Sequence, residues 1–99
     1  MKMNSTPERR LHAKITGRVQ GVGFRYYVLS EAQGLGLTGW VRNRWDGSVE
    51  VLAEGDIETL RTLVSVLEKG PRSSSVDQVV SDLQPASGEY SSFHVRSTL

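Results

Sequence analysis

The chain has 99 residues, of which 37% are hydrophobic, with no cysteine and a formal net charge of +1. This length allows one compact core, and the absence of cysteine excludes a disulfide framework, a thiolate zinc site and a cysteine nucleophile. The charge is far from the basic excess of a dedicated nucleic-acid-binding domain. No apolar run approaches the roughly 20 residues of a membrane span, and the polar N-terminus does not resemble a secretory signal. The composition therefore predicts a cytoplasmic protein with a flexible tail over residues 1–8 and a single domain over residues 9–99.

The first half of the domain predicts a strand, a glycine-rich loop and a helix, in that order. Apolar and polar side chains alternate over residues 11–16, which is typical of a half-buried strand. Gly17 is expected to end this strand and to open a loop over residues 17–23. A helix is predicted over residues 24–33, because its apolar positions recur at every fourth residue and Gly34 follows.

The remaining elements follow from the same two periodicities. The dipeptide Asp46-Gly47 is a hairpin-turn signal between two predicted strands, and Asp56 is the expected N-cap of an amphipathic second helix. The predicted strands cover residues 37–43, 48–54, 76–83 and 93–96, and the second helix covers residues 57–67.

The resulting order, β-α-β-β-α-β with a short fifth C-terminal strand, is the split β-α-β arrangement. It predicts an α+β sandwich, with two helices on one face of an antiparallel sheet. The first and second strands then run in the same direction with the third between them. The loop over residues 17–23 and the end of the second strand are therefore expected at one edge of the sheet.

One glycine motif is expected to be structural only. Residues 34–39 match the dinucleotide-binding pattern G-x-G-x-x-G, which requires a strand before it and a helix after it. Here a helix precedes and a strand follows. The glycines are expected to end the helix and flank the strand, and no cofactor is predicted.

The loop over residues 17–23 has the context of an anion site, because a strand precedes it and a helix N-terminus follows. Arg25 falls in the first turn of that helix, where carboxylates are the favoured side chains. An anion held by the loop would explain this position, since a guanidinium binds two phosphate oxygens at once. A plain strand-to-helix connection with an exposed arginine is an equally good interpretation of these residues alone.

Asn43 ends the second predicted strand, at the edge shared with the loop. Taken alone, it is also explained as a turn residue before Asp46-Gly47. His12 and His94 have no partners at metal-ligand spacing and are interpreted as strand-surface residues. No carboxylate is expected to pair with a histidine or a hydroxyl group. No metal site and no nucleophile–base pair are therefore predicted.

A phosphate site without a general acid suits one kind of leaving group. Expelling an alkoxide from a phosphate ester calls for a metal or an acid. A carboxylate expelled from an acyl phosphate needs neither, because its conjugate acid has a pKa of about 4. Positioning and charge stabilisation then suffice.

The segments Gly17–Arg25 and Gly39–Glu50 resemble the two signature segments of the acylphosphatase family, within a likeness that covers residues 12–96. The resemblance implies a ferredoxin-like fold and hydrolysis of acyl phosphates without metal or cofactor. It implies that Arg25 binds the phosphate and that Asn43 orients the attacking water. It also implies backbone N–H donors from the loop residues Gln20, Gly21, Val22, Gly23 and Phe24.

The resemblance implies a small-molecule acyl phosphate as substrate and inorganic phosphate as product and competitive inhibitor. A monomer is expected, with neither nucleic acid nor membrane as a partner. Arg44 and Trp45 stand where smaller residues are expected in some members, which predicts an effect on substrate preference. One alternative is a non-catalytic anion-binding module, which would bind without turnover. The other is an RNA-binding domain, which is disfavoured because the first and third predicted strands lack aromatic residues.

Overall fold

In the computed structural model, which describes residues 8–99, two helices pack on one face of a five-stranded sheet. The predicted α+β order is confirmed. Of the tail predicted over residues 1–8, all but Glu8 lies outside the described residues. Within residues 8–99, no helix is long and apolar enough to cross a membrane. The elements are β1 (Arg9–Arg18), α1 (Phe24–Gly34), β2 (Thr38–Asn43), β3 (Val49–Gly55), α2 (Ile57–Lys69), β4 (Ser75–Pro85) and β5 (Phe93–Val95).

The strands lie in the order β4-β1-β3-β2-β5. β1 is antiparallel to β3 and β4, and β2 is antiparallel to β3, so β1 and β2 run in the same direction as predicted. The short β5, whose direction the sequence does not predict, pairs parallel with β2 and makes the sheet mixed. β4 and β5 lie at opposite edges, so residues 86–92 carry the chain across the sheet. This crossing sets the direction of β5, which three alternating residues cannot indicate.

The core lies between the helices and the sheet. Alternate residues of β1 and β3 point into it, as the period-2 pattern predicts. The carboxylate of Asp56 caps α2 by accepting a hydrogen bond from the N–H of Thr59 at 2.9 Å. The buried helix residues are Phe24, Val28 and Ala32 on α1 and Leu60, Leu63 and Leu67 on α2.

Gly17 does not end β1, contrary to the prediction, because the strand continues to Arg18. The register between β1 and β4 shifts between Thr16 and Gly17, and Gly17 has a φ of 125°. A Cβ at this position would lie 2.2 Å from the carbonyl oxygen of Ser75. The glycine therefore allows β4 to approach closely at an irregular pairing, and the loop after β1 is shorter than predicted.

The face of the sheet opposite the helices buries a carboxylate. Glu54 of β3 is 3% exposed, and its oxygens accept hydrogen bonds from Arg10 Nε at 2.8 Å, Ser87 N–H at 2.9 Å and Gly88 N–H at 3.0 Å. Burial alone would raise the pKa of Glu54, but these hydrogen bonds outweigh it and lower the pKa to about 2. The ionised carboxylate thus ties the crossing segment to β3.

Candidate functional site

The loop between β1 and α1 presents a run of backbone N–H groups at the N-terminus of α1. Gly21 and Gly23 have φ values of 73° and 79°, in the left-handed region that favours glycine. Gly23 is the N-cap of α1, without a side-chain cap and without an acidic residue in the first turn. Among residues 8–99, the backbone hydrogen bonds that lie outside the helices and strands include none donated by the N–H groups of residues 20–24. We call these five N–H groups the cradle.

Arg25 is the second residue of α1 and is half-buried beside the cradle. No carboxylate among residues 8–99 lies within salt-bridge distance of it, whereas Arg10 binds Glu54 and Arg42 binds Glu50. A cation in the first turn opposes the helix dipole. Free N–H donors and an uncompensated guanidinium at one helix N-terminus suit an anion with several oxygens.

Asn43 is the last residue of β2 and pairs with Val49 of β3. Its side-chain oxygen Oδ1 is buried and has no hydrogen-bond partner within the described residues. A buried acceptor without a donor costs about 1–3 kcal/mol, so a donor from outside the chain, such as a water molecule, would stabilise this oxygen.

The loop and the end of β2 are in direct contact, as the topology predicted. Gln20 Nε2 donates to the carbonyl oxygens of Arg44 at 2.7 Å and Ser48 at 2.8 Å. Arg44 directly follows Asn43. The sequence predicted only a backbone role for Gln20, and the one signal of a further role is an amide side chain in an otherwise glycine-rich loop.

The prediction that no carboxylate pairs with a histidine or hydroxyl group is wrong. His12 Nε2 lies 2.6 Å from Glu50 Oε2, and the Ser48 hydroxyl donates to Asp46 at 2.6 Å. His12 and Glu50 are diagonal neighbours on β1 and β3, 38 residues apart in the sequence, and sequence spacing does not reveal such a pair. Burial would raise the pKa of Glu50, but hydrogen bonds with His12 and Arg42 hold it below its usual value.

Neither Glu50 nor the histidines form a candidate metal centre. Among residues 8–99, no group of three or more His, Asp or Glu side chains is arranged to hold a metal ion. Arg44 Nη1 lies 3.2 Å from Glu50 Oε1, so the Arg44 charge is paired on the face opposite the helices. The side chain of Trp45, at the β2–β3 turn, is 81% exposed.

Comparison with known proteins agrees with the fold and with the family resemblance of the sequence. The sequence model of the Acylphosphatase family matches residues 11–95. The chain is 52% identical to the acylphosphatase of Koribacter versatilis, covering 97% of this chain and 86% of the relative. It is 45% identical to that of Salinibacter ruber, covering 95% and 99%. The crystal structure of acylphosphatase from Bacillus subtilis superposes with a TM-score of 0.86 at 38% identity, covering 89% of this chain and 98% of that one. This chain belongs to the acylphosphatase family.

Proposed function

We propose that this protein hydrolyses acyl phosphates to a carboxylate and inorganic phosphate, without a metal or cofactor. The observation that carries the proposal is the buried Oδ1 of Asn43, which has no hydrogen-bond partner among residues 8–99 and lies at the same edge of the sheet as the cradle and Arg25. The cradle and Arg25 suit a phosphoryl group, and Asn43 Oδ1 suits a water molecule. The chemistry of an acyl phosphate requires little more.

The phosphoryl group binds at the N-terminus of α1. The cradle N–H groups donate to its oxygens, and the guanidinium of Arg25 spans two of them. These donors are fixed by the backbone before substrate arrives, so little reorganisation accompanies the build-up of charge in the transition state. Substrate binding therefore depends on the cradle and Arg25 together.

The attacking water binds at Asn43. Its Oδ1 accepts a hydrogen bond from the water and directs the water oxygen toward phosphorus, in line with the acyl oxygen. The new P–O bond forms as the P–O bond to the acyl group breaks, and the carboxylate leaves with the bonding electron pair. The water proton passes to a phosphoryl oxygen. The leaving carboxylate needs no general acid at neutral pH.

Product phosphate fits the same cradle, so it acts as a competitive inhibitor. The protein acts as a cytoplasmic monomer, with the site formed entirely within the domain of residues 9–99. A small acyl phosphate is its substrate, and neither nucleic acid nor a membrane is required.

The test is hydrolysis of a simple aromatic acyl phosphate by the purified protein in excess chelator. We expect turnover to be unchanged by the chelator, and an alkyl phosphate monoester to be a poor substrate. Loss of activity in chelator with recovery on adding Mg²⁺ would contradict the proposal. Phosphate binding without any turnover would identify the protein as a non-catalytic anion-binding module.

A further inference from the structure

The side chain of Gln20 joins the two halves of the proposed site. Its backbone N–H belongs to the cradle, while its amide nitrogen donates to the carbonyl oxygens of Arg44 and Ser48 at 2.7 and 2.8 Å. Both hydrogens of the amide are used in these two bonds. The two acceptors stand at the base of the β2–β3 hairpin, which begins directly after Asn43. A single residue thus contacts both the phosphate side and the water side.

The same two carbonyl groups also close the hairpin. The N–H of Arg44 donates to the carbonyl oxygen of Ser48 at 2.9 Å, and the N–H of Gly47 donates to that of Arg44 at 3.1 Å. Each carbonyl oxygen has two lone pairs, so it accepts one bond from the hairpin and one from Gln20. By holding both at once, Gln20 fixes the position of the hairpin base relative to the loop.

The other contacts of Asn43 do not connect it to the loop. Its backbone pairs with Val49 of β3 on one side and accepts from the N–H of Leu99 on the other. Neither neighbour belongs to the loop, and Oδ1 has no partner in the described chain. Reaction with an oriented water is sensitive to position, because a misplacement of about 1 Å costs about 100-fold in rate.

From these contacts we infer that Gln20 is a positioning residue for the reaction, acting through Asn43. Its side-chain amide sets the distance between Asn43 and the cradle without touching the substrate. The inference rests on the proposed function. It assigns to the side chain of Gln20 a role that differs from the role of its backbone N–H.

The test removes the side-chain donor while leaving the backbone N–H in place. Gln20→Met keeps the approximate size without the donor, and Gln20→Ala removes the side chain. We expect kcat for acyl phosphate hydrolysis to fall about 10- to 100-fold in both. The phosphate inhibition constant should change less than about threefold, because the cradle and Arg25 remain. The matched control is Gln33→Ala, which removes a glutamine bond to the carbonyl oxygen of Phe93 at the other end of α1 and should keep the wild-type kcat.

A double variant tests whether Gln20 acts through Asn43. In an Asn43→Ala background, Gln20→Ala should lower kcat by less than about threefold, because the residue that it positions is already lost. An undiminished effect in that background would overturn the inference, as would a wild-type kcat in folded Gln20→Met. A phosphate inhibition constant raised more than tenfold at unchanged kcat would also overturn it, by making Gln20 a binding residue.

The inference and the proposed function fail in different ways. A wild-type protein without turnover overturns both. An impaired Asn43→Ala variant beside fully active Gln20 variants overturns only the inference. Thermal denaturation of each variant ensures that kcat is expressed per folded molecule.

Discussion

The backbone N–H of Leu99 donates to the carbonyl oxygen of Asn43 at 3.2 Å. The carbonyl oxygen of Leu99 accepts in turn from the N–H of Trp45 at 3.1 Å, and the N–H of Arg96 donates to the carbonyl oxygen of Val41 at 2.9 Å. These bonds hold residues 96–99 beside the end of β2, beyond the last paired residue Val95 and with a register shift of one residue at Leu99. Residues 96–99 therefore form the outer side of the strand end that carries Asn43.

Removing this outer bond should affect the reaction. Leu99→Pro has no backbone N–H, so the carbonyl oxygen of Asn43 loses a hydrogen bond worth about 1 kcal/mol. We expect kcat to fall severalfold. The control is Leu99→Ala, which keeps the N–H and truncates a side chain that is 57% exposed. It should behave as the wild type, and equal kcat values for both variants would show that this bond does not position Asn43.

The features predicted correctly from the sequence depend on local patterns. The amphipathic stripe of α2 and its cap at Asp56 lie within one segment. The placement of Asn43 beside the loop needed one topological rule in addition, namely that β1 and β2 run in the same direction with β3 between them. Periodicity together with connection order is sufficient for such features.

The features that the sequence did not predict depend on the register between strands that are distant in the chain. The bond from Gln20 to Ser48 spans 28 residues, and the pair of His12 and Glu50 spans 38. A glycine that the close approach of β4 requires resembles a turn glycine in the sequence, so the pattern predicts a strand end at Gly17. Side-chain contacts between strands require the register, which alternation alone does not specify.

Arg25 should determine phosphate affinity through its planar guanidinium. Inorganic phosphate should raise the melting temperature of the wild type, because it binds only the folded state. Arg25→Ala should lose most of this protection. Arg25→Lys should not restore activity, since an ammonium group lacks the bidentate geometry. Melting curves with and without phosphate provide the measurement, and equal protection in wild type and Arg25→Ala would place the anion elsewhere.

Asn43 should affect the chemical step more than binding. Asn43→Ala should lower kcat about 100-fold or more, the scale of losing one preorganised polar group. Because Asn43 carries no charge, the phosphate inhibition constant should stay within about threefold, which corresponds to about 0.7 kcal/mol. If Asn43 is only a turn residue, the variant will instead lose thermal stability while its kcat per folded molecule stays near the wild-type value.

Two glycines of the dinucleotide-like stretch should respond oppositely to alanine. A Cβ at Gly39 would lie 1.9 Å from the carbonyl oxygen of Leu52, and its φ is 134°. Gly39→Ala should therefore destabilise the fold by several kcal/mol or prevent folding. Gly34 ends α1, and apart from its chain neighbours and the backbone of α1 no atom of residues 8–99 lies within 4 Å of its Cβ position. Gly34→Ala should be neutral or stabilising by up to about 1 kcal/mol. Denaturant unfolding of both variants tests this, and similar losses would contradict it.

Glu54 should make the stability of the protein depend on acid pH. Its hydrogen bonds with Arg10, Ser87 and Gly88 lower its pKa from 4.5 to about 2 in the folded state, which corresponds to about 3 kcal/mol. Because the folded-state pKa is depressed, this stabilisation is fully present above pH 4.5 and is lost as the pH falls toward 2.

Glu54→Gln should be less stable than the wild type at pH 7, and the difference in the free energy of unfolding should narrow between about pH 5 and pH 2. The control Glu58→Gln removes an exposed ion pair with Arg61 and should change stability by less than about 1 kcal/mol. Urea unfolding at each pH supplies the free energies, and parallel curves for wild type and Glu54→Gln from pH 7 to pH 3 would show that the buried carboxylate is not held ionised.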